Sequence, residues 1–268
     1  MYRRILIPVV EPSEVAPLIR FAAQLLDADG EIRVLHVISG GSLPEVTREW
    51  RSSVHIVVPA HETGAALDVR VEPEVRGAAD VPNEILDSAE AHEIDAILMT
   101  IRGSPRSRNP FVGHIATGIL HHATSDVIIV NRLGLTGERV PRILVPTLGG
   151  AAPAKALALA EELAVRQKGL PIVTLSIASR ASVSDDGTAP GRSPRGLPLV
   201  VRRSFFSEAL LGGRGAICEL ILRQAARERY GLLIVGEERG HAVRPLLTRR
   251  FLDELFRNAP CPVVAIRG

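Results

Sequence analysis

RRILIPVVEPSEVAPLIRFAAQLL (3–26) and PRILVPTLGGAAPAKALALAEELA (141–164) carry one pattern twice in a single chain. Ile5-Leu6-Ile7-Pro8 falls on Ile143-Leu144-Val145-Pro146 at an offset of 143 − 5 = 138. Leu18, Phe21, Ala22 and Leu25 fall on Ala156, Leu159, Ala160 and Leu163 at the same offset. Further along, IDAILMTIRG (94–103) pairs with YGLLIVGEER (230–239), and TSDVIIVNR (124–132) with PCPVVAIRG (260–268), at an offset of 236 − 100 = 136. A nearly constant offset across separated motifs means duplication of one unit of about 130 residues. The junction falls in NRLGLTGERV (131–140), so the domains are expected at 1–134 and 140–268.

Within a unit the apolar pattern switches repeatedly between continuous runs and a 3–4 spacing. Runs such as VLHVI and DVIIV predict strands near 4–9, 32–38, 67–74, 95–100 and 126–131. Runs without alternation imply burial on both faces, hence a parallel sheet between helical layers. Val15, Leu18, Ile19 and Ala22 recur at helical spacing after the start signal Pro12-Ser13-Glu14, predicting a helix over 12–27. Further helices are expected over 80–92 and 112–122, and 51–66 supplies one more, with Pro59 as an expected interruption. In the second copy, SRASVSDDGTAPGRSPRG (179–196) is dense in Ser, Gly and Pro; it reads as a mobile loop where the first copy has a helix.

Bulk composition narrows the classes. The chain has 268 residues, 46% apolar but only 3% aromatic, so its core is aliphatic. A net charge of +2 without a basic, aromatic-laced stripe speaks against nucleic-acid binding. Cys218 and Cys261 read as buried small hydrophobes. With neither a secretory signal nor an apolar run of about 18 residues, the expected location is cytoplasmic.

The motifs ILIPVVEPS, FAAQL, VLHVI, LMTIRGSPRSRNPFVGHI and ATSDVIIV in the first copy resemble the universal stress protein family, and so do ILVPTLGG, LAEEL, LIVGEERGHAVRPLLTRRF and NAPCPVVAI in the second. The likeness spans nearly the whole chain. It implies two tandem α/β domains of the adenine-nucleotide alpha-hydrolase-like type. Each would hold a five-stranded parallel sheet of order 3-2-1-4-5 with helices on both faces. It further implies adenine-nucleotide binding in some members and pairing through the last strand, here an intramolecular pseudo-dimer. The nucleotide would lie beyond the carboxyl ends of strands one and four, where strand order reverses.

For the first copy this points to Pro8, Val9, Val10, Val37, Thr100, Arg102, Gly103, Gly113, His114 and Ile115. Binding members carry Asp after strand one and a G-x2-G-x9-G-[ST] loop after strand four. Here Val10 stands for the Asp, Thr100 for the first Gly and His114 for the hydroxyl residue, while Gly103 and Gly113 remain. Arg102, Arg106 and Arg108 offer charge to a phosphate. In the second copy Leu148 takes the Asp position, with Gly149 following it. Only Gly236 keeps its place in the loop; Arg239, Arg249 and Arg250 fill the other three positions, and Gly240 is out of register. ATP or another adenine nucleotide, weakly held, is therefore expected in the first copy alone.

No metal is expected, because His121 and His122 are adjacent and point about 100° apart on a helix. Ser39-Gly40-Gly41-Ser42 reads as a turn after strand two, and no acid–base–nucleophile constellation stands out. The leading expectation is a non-enzymatic, regulatory stress-response module, able to form homo-oligomers and to take a small anion or nucleotide. The VxPS-like turn after strand one also resembles domains that accompany amino-acid or cation transporters, so a membrane transporter is an alternative partner. An ATP-hydrolysing enzyme of the same superfamily is the other alternative.

Overall fold

The computed structural model describes residues 2–40, 43–101, 113–131, 142–148, 153–166, 170–179, 189–192, 198–206, 214–228, 230–237 and 247–267. Its elements divide into two units. The first runs β1 (Tyr2–Val9), α1 (Pro12–Ala23), β2 (Leu26–Ser39), α2 (Leu43–Ser52), α3 (Val54–Leu67), β3 (Arg70–Ala78), α4 (Val81–Ala91), β4 (Ala96–Thr100), α5 (His114–His122) and β5 (Asp126–Val130). Its sheet has the order β3-β2-β1-β4-β5, all parallel.

The central strands follow from their sequence. Ile5, Leu6 and Ile7 of β1 and Ala96, Ile97 and Leu98 of β4 have no exposed surface, and all five residues of β5 are buried. β1 stays in register with β2 as far as Val9 opposite His36, but pairs with β4 only at Ile5 and Leu6. Two residues further on stands Pro8, which has no N–H to continue that ladder. Strand order reverses here, between the carboxyl ends of β1 and β4, the place where open sheets of this kind form a crevice.

At the other end the strands are tied. One Asp95 carboxylate oxygen accepts the backbone N–H of Arg3 at 2.7 Å and of Arg4 at 2.9 Å. The Tyr2 hydroxyl donates to buried Asp126 at 3.0 Å.

Several expectations are corrected here. α3 runs unbroken through Pro59, because Ile56, Ala60, Thr63 and Gly64 bury one face. At Gly64 an added Cβ would lie 2.6 Å from Val71 Cγ2, so this helix lies directly against β3. Carrying α3 on to Leu67 pushes β3 to Arg70–Ala78, later than the 67–74 read from sequence. β3 is also no continuous apolar run. Its Arg70, Glu72, Glu74 and Arg76 form a charged ladder with Arg33 of β2 and Glu84 of α4, with Arg33–Glu72 and Arg76–Glu84 contacts of 2.8 Å.

The second unit runs β6 (Ile143–Leu148), α6 (Ala154–Arg166), β7 (Ile172–Ser179), β8 (Ala189–Arg192), β9 (Pro198–Phe206), α7 (Arg214–Arg227), β10 (Leu232–Glu237), α8 (Arg249–Asn258) and β11 (Val263–Arg267). Its order is β8-β9-β7-β6-β10-β11, the same arrangement with an added outer strand. β8 pairs antiparallel with β9, so a strand stands inside the stretch read as a loop over 179–196; residues 180–188 and 193–197 lie outside the described residues. The duplicated split recurs. β6 follows β7 to Leu148 but meets β10 only at Ile143 and Leu144, two residues before Pro146.

Cys218 and Cys261 are free and buried. Burial, and secondarily the charge of Glu254, pushes the Cys218 thiol up to about 12. Among the described residues no helix is long and apolar enough to cross a membrane.

Candidate functional site

The crevice of the first unit is built from four segments. Pro8 and Val9 end β1, and Val9 is buried. Val10 follows in the turn, 45% exposed, where an aliphatic side chain offers a ligand no hydrogen bond. Val37, half-buried, lies in β2 opposite Arg76. Beside it His36 brings its Nδ1 within 3.1 Å of the Val9 carbonyl oxygen, so this histidine joins the ends of β2 and β1. Thr100 closes β4. Arg102 and Gly103, with Arg106 and Arg108, lie outside the described residues.

The far wall is the start of α5. Gly113 is its N-cap, with φ −62 and ψ 165, a conformation open to any residue. Among the described residues, a Cβ added there would meet nothing within 4 Å. Backbone strain does not ask for glycine at this position, though a helix N-cap accepts it. His114 is exposed and Ile115 half-buried in the first turn, and the Thr117 hydroxyl donates to the Gly113 carbonyl at 3.0 Å. A helix start leaves backbone N–H groups without intrahelical partners, directed out of the helix.

The residue that joins these segments is one the sequence marked only as a helix start. Glu14 lies in the first turn of α1. One of its carboxylate oxygens accepts the N–H of Val10 and of Glu11, both at 3.3 Å. The other accepts the Thr100 hydroxyl at 2.5 Å, across 86 residues of chain. The glutamate thus closes a capping box on its own helix and bridges β1's turn to the end of β4. An acidic residue two places after a Pro, at the N3 position, is a signal for the cap. Nothing local signals the bond to Thr100.

The second unit treats the matching place differently. Gly236, the loop glycine retained in sequence, lies within β10 opposite Ile266. A Cβ there would stand 2.5 Å from Ala156 Cβ and 3.0 Å from Pro153 Cβ. Its smallness serves the close approach of α6, which is a packing reason and not the clearance for a phosphate suggested by the sequence. Leu148 ends β6; Gly149, Arg239 and Gly240 lie outside the described residues. Arg249 and Arg250 occupy the first turn of α8, exposed, with Arg249 Nε 3.8 Å from Asp253. The shallow depression they line also contains Asp253, Glu254, Arg257 and Asn258, a surface of mixed charge.

Among the described residues no three His, Cys, Asp or Glu side chains gather as metal ligands. His121 and His122 end α5, both exposed. His92 ends α4 beside the charged ladder, its Nε2 3.7 Å from Glu74 and accepting from Arg76 at 3.4 Å.

With this geometry in view, the comparisons with known proteins are informative. The sequence pattern of the universal stress protein family matches residues 1–131 and again 140–267. A universal stress protein from Archaeoglobus fulgidus superposes over 98% of this chain and 97% of its own, with a TM-score of 0.68 at 17% identity. A functionally unknown protein from Pseudomonas aeruginosa PAO1 superposes over 99% of this chain and 92% of its own, with a TM-score of 0.58 at 12% identity. Identities this low speak for the fold. No curated protein matches the chain.

Proposed function

We propose a function from one premise: the chain belongs to the universal stress protein family. On that basis it is a regulatory module that recognises a ligand without turning it over, with its one remaining site in the first half. The ligand is an adenine nucleotide, held weakly at the crevice between β1 and β4. The observation that carries this reading is Gly113. It caps α5 at the crevice, a position glycine suits, and with no described side chain against it the first N–H groups of α5 stay open to a ligand. At the matching end of β10 in the second half, α6 fills the space against Gly236.

The described acids at the crevice support a reading without turnover. Val10 offers no carboxylate, and the Glu14 carboxylate is committed to two backbone N–H groups and a hydroxyl. A general base must be free to take a proton from its substrate. Pure protein should release no phosphate from ATP above the uncatalysed background.

β5 and β11 each end their own half's sheet, and an intramolecular pseudo-dimer formed through these last strands, which the proposal includes, would remove an exposed edge from each.

Titration calorimetry with ATP and AMP tests the site. Weak binding with one site per chain is expected, abolished by Gly113→Arg, which would place a long side chain in the open space. Heat that survives that substitution would place the ligand elsewhere.

A further inference from the structure

At the carboxyl ends of β1 and β4, donors that could hold an anion already hold one, and it belongs to the protein. Three donors from two segments, the Val10 and Glu11 N–H groups and the Thr100 hydroxyl, converge on the Glu14 carboxylate. Backbone N–H groups at the end of β1 and a hydroxyl at the end of β4 are the kind of donors that hold a phosphate oxygen at a strand-order reversal. The contacts run between α1, the β1–α1 turn and β4, so the carboxylate spans the crevice mouth instead of lying along its own helix. Val10, in the turn after β1, is 45% exposed to solvent.

Resting on the reading that the first half holds the site, we propose that Glu14 is its specificity-determining residue. Its carboxylate occupies the seat of an incoming phosphate oxygen. It thereby selects neutral ligands that bear hydrogen-bond donors, such as a nucleoside, over polyphosphates. Two physical effects act together. Like charges a few ångströms apart repel in a site of lowered dielectric. The Val10, Glu11 and Thr100 donors are also already satisfied, so a phosphate oxygen entering at this wall of the crevice must first displace Glu14. A neutral nucleoside meets neither obstacle, and its hydroxyls or amine can donate to the carboxylate lone pairs that remain. The weak nucleotide binding expected of this half thus acquires a local cause.

Calorimetry on the full chain with adenosine, ATP and inorganic tripolyphosphate tests this. The wild type should bind adenosine more tightly than ATP and give no heat with tripolyphosphate. Glu14→Gln keeps the size of the side chain and removes its charge. It should tighten ATP about tenfold while leaving adenosine within about twofold, on the scale of one lost charge–charge repulsion near a surface. Thr100→Val frees Glu14 but leaves its charge, and it should not improve ATP binding. Melting curves within a few degrees of wild type would show that the substitutions leave the fold intact. Should Glu14→Gln melt early, Glu14→Asp, which keeps the charge on a shorter arm, must still fail to tighten ATP. Equal ATP affinity in wild type and Glu14→Gln would overturn the specificity role while leaving the site standing. Heat from none of the three ligands, in any variant, would overturn the site as well.

Discussion

At the scale of single residues, two glycines that look alike in sequence have opposite reasons to exist. Gly236 has Ala156 and Pro153 against the place where a side chain would begin, whereas Gly113 has open space. Gly236→Ala therefore forces α6 away from β10. It should lower stability by about 1–3 kcal/mol, the usual cost of overpacking a close contact. Gly113→Ser, at an ordinary φ of −62 and with a side chain suited to a helix N-cap, should not lower stability by more than about 0.5 kcal/mol. Urea unfolding of the two variants separates them, and similar losses in both would contradict the assignment. The spacing of a loop motif cannot make this distinction. It records that a glycine recurs, not whether a helix or a ligand needs the room. Glu14 was hidden for a related reason. Its local partners, Val10 and Glu11, lie within four residues and look like an ordinary cap, while its partner Thr100 lies 86 residues away.

At the scale of elements, β1, β4 and β5 were legible because their apolar runs are buried on both faces, and α1 because its apolar residues recur at helical spacing; the strand order came from the resemblance to the family. The outer elements were not. β3 is held by Arg33, Glu72, Glu74 and Arg76, and ion pairs leave no apolar period to read. Pro59 marked a break that tertiary burial of α3 overrides. β8 is four residues drawn from a polar stretch, and its pairing with β9 supplies the backbone partners its composition could not announce.

The joint between the amino ends of β1 and β5 carries a pH dependence of its own. Burial first, then the charge of Asp126 and the bond to it, raises the Tyr2 phenol above its usual value of 10.0. In the folded chain the phenol keeps its proton at a pH where the unfolded chain has lost it. The joint's contribution is therefore complete below about pH 10 and declines as pH rises through that value. Denaturation at pH 8 and pH 10.5 should show the loss. Tyr2→Phe should flatten this part of the profile and cost about 1 kcal/mol at pH 8, because the buried Asp126 loses one of its hydrogen bonds. An unchanged pH slope in Tyr2→Phe would show that the joint does not titrate as described.

At the scale of the whole molecule, duplication was the most legible feature, since it rests on offsets that hold over many residues, and it also supplies a test of how the halves act together. The single tryptophan, Trp50, lies in the first half on α2, 47% exposed, so its fluorescence reports that half. Both cysteines lie in the second half and are buried, so their reaction with a thiol reagent reports only that one. The Cys218 thiol, pushed up to about 12 chiefly by burial, is doubly protected at pH 8: little thiolate forms, and the reagent cannot reach it. In the native chain labelling should be slow and should accelerate only as the second half opens. If the halves share their last strands, breaking one exposes the edge of the other, and the two should unfold as one cooperative unit. The urea midpoints from Trp50 fluorescence and from cysteine labelling should then coincide. Two separated transitions would mean that each half folds by itself and that the pseudo-dimer contributes little to stability. A first-half ligand supplies the complementary measurement. In a coupled molecule, saturating it should slow labelling of Cys218 in the other half, since binding stabilises everything that unfolds with the site. In an uncoupled one, the labelling rate should not move.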